Sequence, residues 1–349
     1  MQKIIFETFE AHNFKAKNRL VRSATWENIA TPEGGICENS YALYNELASG
    51  GIGTIITGFT SVDAHDQYFG GMMRLCSDTL IPEYRKLTDT IKKHEVFVIT
   101  QLALGAYYTK TQDGVYMEVD IDYMTKAQIS EVVNMFVEAG RRASEAGFDG
   151  IQIHAAHFFF LSRFISPAVN HRTDEYGGSN RGRARILIEI LHGLKNVAPG
   201  LHLTIKINSS DFLPGGLTQS DSLEICKLLA EEGIDSIEVS GNGTSRAGIR
   251  SDNDEAYFGD FAERLAEEVD VPVILVGGLR SKNVMEDILN NSKIELLSLS
   301  RPLIRQPELP ELLKENKTDK ADCISCNACY RTDGHTCIFV PKPRWLCGN

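Results

Sequence analysis

The sequence predicts an α/β chain closed into a (β/α)8 TIM barrel with a short cysteine-rich C-terminal appendage. Three observations predict it. Eight short apolar runs recur along the chain, amphipathic segments separate them, and four cysteines crowd into "CISCNACYRTDGHTC" near the end. The 349 residues suit one such barrel, typically about 250 residues long and longer with insertions. We expect residues 1–316 to form the barrel and 317–349 the cysteine-rich tail.

The strands are expected in "RLVRSA", "GTIITG", "VFVITQLA", "FDGIQIH", "HLTIKIN", "SIEVS", "PVILVGG" and "LLSLSRP". They are apolar runs rather than strict alternations, which suits parallel strands covered outside by helices. Between them, "TKAQISEVVNMFVEAGRRASEAG" predicts a helix opened by a Thr cap and ended at Gly147. "SNRGRARILIEILHGLKNV" predicts another. An open doubly wound sheet is the alternative, weakened because no strand is followed by a G-x-G-x-x-G turn. Long loops, "NHRTDEYGGSN" after the fourth strand and "SGNGTSRAGIRSDNDEAYFG" after the sixth, fall where barrels build active sites.

The net charge of −11 argues against nucleic acid as a partner, since a phosphate-binding face needs clustered Lys and Arg. The N-terminus lacks the apolar core of a signal peptide. No apolar run approaches the ~20 residues of a membrane span. We therefore expect no membrane partner and a cytoplasmic location. In that setting cysteines do not suggest a disulfide framework. Cys37, Cys76 and Cys226 read as ordinary scattered residues. Cys323, Cys326, Cys329 and Cys337, spaced C-x2-C-x2-C-x7-C, suit a [4Fe–4S] cluster or a zinc ion, with unligated thiols as the plain alternative.

Polar residues gather at strand ends. His154 and His157 follow the fourth strand in "IQIHAAHFFFLSRF", with three phenylalanines behind them. Gln101 closes the third strand, and Lys206 stands in the apolar fifth, where a buried ammonium calls for an anionic partner. Gly277 and Gly278 close the seventh, and Ser300 and Arg301 open a helix after the eighth, a pattern that suits a phosphate. Gly-Gly after a strand is also commonly just a turn.

With these residues in place, the chain resembles the Old Yellow Enzyme family of NADH:flavin oxidoreductases. The resemblance runs from "NRLVRSA" through "SRPLIRQPELP" and is most specific in "IHAAHFFFLSRFISPAVNHRTDEYGGSNRGRAR". It is nearest to the barrel part of the dienoyl-CoA reductase and trimethylamine dehydrogenase group, whose cysteine run is more widely spaced. The resemblance implies non-covalent FMN and hydride transfer from NAD(P)H, through flavin N5, to an activated C=C bond in an enone, dienoyl thioester or nitroalkene. It places Ser23, Ala24, Thr25, Trp26 and Gly58 along the flavin. Gln101 would meet its pyrimidine edge, Lys206 its N1–C2=O end, and Gly277, Gly278, Ser300 and Arg301 its phosphate. His154 and His157 match the pair that holds the substrate oxygen.

Two departures stand out. Trp26, beside Glu27, occupies a position where relatives often carry Thr or Cys. Phe159 stands where enone reducers usually place a tyrosine acid, which leaves Tyr107, Tyr108 and Glu27 as candidate proton donors. Two other readings stay open: an amine-oxidising, demethylase-like flavoprotein, and a non-catalytic flavin and iron–sulfur electron carrier. A redox partner protein and self-association into a homo-oligomer stay open as well.

Overall fold

The computed structural model describes residues 4–251 and 254–341. Residues 342–349 of the expected tail, and two residues of the loop after the sixth strand, lie outside the described residues. Eight strands form the wall: β1 (Leu20–Arg22), β2 (Thr54–Ser61), β3 (Phe97–Ala103), β4 (Gly150–Ala155), β5 (His202–Asn208), β6 (Ser236–Ser240), β7 (Val273–Val276) and β8 (Leu296–Leu299). Each pairs in parallel with the next. β8 then pairs with β1, so the sheet closes and no edge is left open. Every strand residue is buried except the half-buried Phe97, which explains why the strands read as continuous apolar runs.

Helices cover the outside: α1 (Glu38–Ser49), α2 (Ile81–Lys92), α3 (Lys126–Glu145), α4 (Phe160–Ile165), α5 (Asn180–Val197), α6 (Gln219–Glu231), α7 (Gly259–Glu268) and α8 (Lys282–Asn291). α9 (Arg301–Arg305) and α10 (Leu309–Lys314) follow β8. α3 shows how local sequence sets an element. The Thr125 side chain accepts from the Gln128 backbone while the Gln128 side chain caps the Thr125 N–H. Ile129, Val132, Phe136, Ala139 and Ala143 then recur at helical spacing and are buried. Gly147 ends the turn at φ +81°, where a side chain would be strained. Against α5 the packing is reciprocal. A Cβ on Gly140 would lie 2.1 Å from Leu194, and one on Gly193 would lie 2.2 Å from Val137.

Two hairpins went unforeseen. Phe9–Ala11 pairs antiparallel with Phe14–Ala16. Its Phe9 and Phe14 pack with Val21, Ile56, Ile99, Ile274 and Leu296 of the barrel strands and so plug the N-terminal mouth. The second, Tyr108–Lys110 with Tyr116–Glu118, lies in the loop after β3.

The described part of the tail seats on the barrel. Ser281 bridges Lys320, and the Ala321 N–H donates to Arg280 O at 2.9 Å. The buried Arg280 guanidinium donates to Cys323 O at 3.2 Å and Ser325 Oγ at 2.7 Å. No helix among the described residues is long and apolar enough to cross a membrane.

Candidate active site

The C-terminal strand ends surround a cavity of about 380 Å³. Ser23, Ala24, Thr25 and Trp26 line it after β1, Gln101 from β3, His154 and His157 from β4 and beyond, and Lys206 from β5. Gly277 and Gly278 after β7, and Ser300 and Arg301 after β8, complete that set. Gly58 does not line it. A Cβ there would lie 2.2 Å from Glu27 Oε2 and 2.3 Å from Thr25 O. Gly58 instead lets the segment after β1 close onto β2.

Strand register builds the polar floor. Lys206 lies level with His154 on one side and with Glu238 on the other. Gln101 lies level with Gln152. Lys206 Nζ is 3.0 Å from Glu238 Oε1 and donates to Ser23 Oγ at 2.7 Å. Ser23 and Ser298 donate to the same carboxylate oxygen at 2.9 and 2.8 Å. Gln152 Nε2 donates to the other oxygen at 2.8 Å, and Gln101 Nε2 donates to Gln152 Oε1 at 2.8 Å. Burial alone would raise the Glu238 carboxyl. The Lys206 ammonium and the hydrogen bonds outweigh it and hold the group below the ordinary carboxylate range. The anionic partner expected for Lys206 is thus a residue of the chain. Sequence reading passed over Glu238 and Gln152. A glutamate inside an apolar strand was the available signal.

His154 and His157 stand with ring centroids 5.1 Å apart and planes near perpendicular, at 76°. Burial, with Lys206 nearby, keeps both imidazoles neutral; His157 is pushed down to about 3 and His154 well below its usual value. His157 Nε2 lies 2.8 Å from Ser240 Oγ, and its backbone N–H donates to Asn208 Oδ1 at 3.0 Å. These contacts hold His157 and Phe158 at φ +64° and +63°, a region side chains rarely adopt. His154 Nδ1 is buried with no hydrogen-bond partner among the described residues. That nitrogen, in the wall of the cavity, is free to meet a ligand.

The apolar wall explains the phenylalanines in part. Trp26 stacks on Phe69 at 4.5 Å, Phe59 meets Phe159 at 5.1 Å, and Phe159 meets His154 at 5.0 Å. Phe160 belongs to the main core instead. The expected proton donors lie elsewhere. Tyr107 donates to Glu131 at 2.6 Å, and neither it, Tyr108 nor Glu27 lines the cavity. Glu27 sits beside Arg22 at 3.4 Å, its carboxyl pushed up to about 7 by burial. Tyr257 and Tyr330, which sequence reading did not single out, do line the cavity.

At the other end, Gly277 and Gly278 take φ +127° and +83°. A Cβ on either would come within 2.9 Å of the Tyr257 ring. α9 is too short to act as a dipole site. Arg301 Nη1 donates to Arg246 O at 2.7 Å and Asn327 Oδ1 at 2.6 Å. Arg301 also borders the small pocket that Cys323, Cys326, Cys329 and Cys337 line together. No group of three or more His, Cys, Asp or Glu side chains among the described residues is arranged to hold a single metal ion.

A barrel with a glycine pair, buried cations and two neutral histidines at its C-terminal mouth has the parts that a nucleotide-cofactor oxidoreductase needs. The signature of the NADH:flavin oxidoreductase / NADH oxidase family covers residues 4–320, and the chain belongs to that family. It is 33% identical over 320 residues to the "NADPH dehydrogenase" of Geobacillus sp. (strain WCH70), a match that covers 89% of this chain and 93% of that protein. It is 26% identical over 341 residues to the "Metal reductase" of Desulforamulus reducens, covering 93% of this chain and 51% of the other. The old yellow enzyme homologue from Zymomonas mobilis superposes with a TM-score of 0.75 at 20% identity, over 93% of this chain and 96% of that one. The protein is accordingly an oxidoreductase that works with FMN and reduced nicotinamide. The residues fit the cofactor: the glycine pair borders the cavity with no side chain of its own, and Gln101 and Lys206 offer polar contacts to a flat ring.

Proposed function

We propose that this enzyme reduces an activated C=C bond, that of an enone, dienoyl thioester or nitroalkene, at the expense of NAD(P)H. The observation that carries the reading is the pair of neutral imidazoles in an aromatic-walled cavity, one of them with a buried nitrogen that lacks a partner among the described residues. FMN, when bound, supplies the two-electron link between nicotinamide and acceptor. The chain does the rest. Ser23 to Trp26, Gln101 and Lys206 hold the ring, and Gly277, Gly278, Ser300 and Arg301 hold the phosphate. His154 and His157 grip the electron-withdrawing oxygen of the acceptor, on which negative charge grows as the β-carbon is reduced. Neutral N–H donors aimed at that oxygen act as an oxyanion hole, and the aromatic wall excludes water that would weaken them.

Denaturation should release FMN, not FAD. Arg301→Ala should weaken FMN binding roughly 10- to 100-fold through loss of a charge-assisted phosphate contact. Equilibrium titration of the apoprotein checks both, and an unchanged affinity would remove Arg301 from the phosphate site.

Phe159 offers no proton to the α-carbon. Phe159→Tyr should therefore speed enone reduction, by up to ~10²-fold if the hydroxyl acts as a general acid. Nitroalkene reduction should gain less, because the nitronate product is stable unprotonated. Equal gains for both acceptors in stopped-flow traces would defeat this account.

For the tail we favour a [4Fe–4S] cluster over zinc. Four cysteines line one pocket bordered by Arg301, and a cluster spreads its thiolates over a wider frame than one tetrahedral ion with bonds of ~2.3 Å. Anaerobically purified protein should contain iron and sulfide, and Cys326→Ser should remove them. One zinc and no sulfide would replace the cluster with a structural ion.

A further inference from the structure

We infer that Glu238, acting through Gln152, is a positioning residue that fixes the Gln101 amide so that its carbonyl Oε1 faces the cavity and selects a ring offering an N–H between two carbonyls. The inference deepens the FMN reading above and rests on it. Direction along this relay follows from hydrogen-bond chemistry. Glu238 is fully buried, at 0% exposure. An ionised carboxylate can only accept. Its Oε1 is taken by Lys206, Ser23 and Ser298, which leaves Oε2 for Gln152. Gln152 must then turn its Nε2 toward Glu238 and its Oε1 toward Gln101. Gln101 answers with Nε2, so its own Oε1 and second N–H remain for a ligand. Among the described residues no protein donor reaches that Oε1.

The alternative orientation is disfavoured at every joint. If Gln152 flipped, its carbonyl would face a carboxylate and its NH2 would face the NH2 of Gln101. Gln152 is 0% and Gln101 3% exposed, so water does not repair such a mismatch. Each unsatisfied buried group shifts the balance by roughly 5- to 100-fold. A glutamine in place of Glu238 can donate as well as accept, and the constraint on the whole chain would be lost. Neutralising Lys206 does not by itself account for Glu238, because the ammonium sits at Oε1 while Gln152 takes the other oxygen.

The test uses the full-length holoenzyme, its FMN exchanged for FMN carrying 15N at the imide nitrogen. In the native protein the imide proton should give a 15N-coupled signal protected from solvent. Gln152→Met cuts the relay and keeps the Lys206–Glu238 pair; Glu238→Gln frees its direction. Both should weaken FMN binding about 5- to 20-fold and shift the imide proton upfield or broaden it by exchange. A loss of affinity with the imide signal unmoved in Gln152→Met would overturn the inference and leave the relay a structural device. Should Glu238→Gln fail to fold, Gln152→Met decides alone. A native protein that takes up no FMN would overturn the cofactor reading itself, an outcome separate from an unmoved signal.

Discussion

Replacing His154 or His157 with alanine is expected to slow alkene reduction by about 10²–10³-fold and to weaken acceptor binding, while reduction of the cofactor by NAD(P)H persists. The loss follows from the site. His154 is buried and His157 half-buried, both are neutral, and their rings lie 5.1 Å apart, so each can offer an N–H without the cost of desolvating a charge. Because the donors are already in place, the reaction need not reorganise water around the developing oxyanion. His157 carries a second requirement, a backbone at φ +64°. Asparagine tolerates that conformation better than alanine and keeps an N–H. His157→Asn should therefore retain more activity than His157→Ala. Stopped-flow traces of pre-reduced enzyme with an enone separate these cases. Wild-type rates in both alanine variants would remove the histidines from the substrate site.

Lys206→Met is expected to destabilise the barrel by about 3–5 kcal/mol, the usual cost of leaving one member of a buried ion pair alone. Lys206 and Glu238 side chains are 4% and 0% exposed, so solvent does not screen the orphaned carboxylate. The loss should depend on pH. In the native protein the Glu238 carboxyl sits below its ordinary range, so its contribution is present above the unfolded-state pKa and fades as pH falls through the folded one. Without Lys206 the sign reverses. Burial raises the carboxyl, and the variant loses stability as pH rises above the unfolded value. Thermal unfolding should therefore show a larger deficit at pH 8 than at pH 5. Lys206→Met/Glu238→Gln should recover part of it, because the neutral amide removes the buried charge and keeps an acceptor for Ser23 and Ser298. A single variant that melts like the native protein at pH 8 would contradict the assignment of this pair.

The barrel was readable because its strands are buried on both faces and so appear as eight unbroken apolar runs. α3 was readable to its ends because Thr125 and Gly147 carry their own conformational signals. The plug of Phe9–Ala11 and Phe14–Ala16 was not, since three-residue strands are too short to show a period. In the site, residues at strand ends were legible because a barrel exposes those ends together. Glu238 and Gln152 were not, because their meaning depends on register: which residue of β5 stands level with which of β6 is set by closure, not by local pattern. Gly58 stands outside the cavity lining for a related reason. Its neighbour across the fold, Glu27, comes from a loop whose path no local rule predicts. Tyr330 reaches the cavity only because the tail folds back over the barrel mouth.

The most direct test of the account is the cofactor absorbance of anaerobic protein, first with NADPH or NADH and then with an enone or nitroalkene. The account predicts bleaching by the reduced nicotinamide and full recolouring on adding the small acceptor, slowed in the His154 and His157 variants. Bleached protein that ignores every unsaturated acceptor and recolours only with an electron-accepting protein would contradict it.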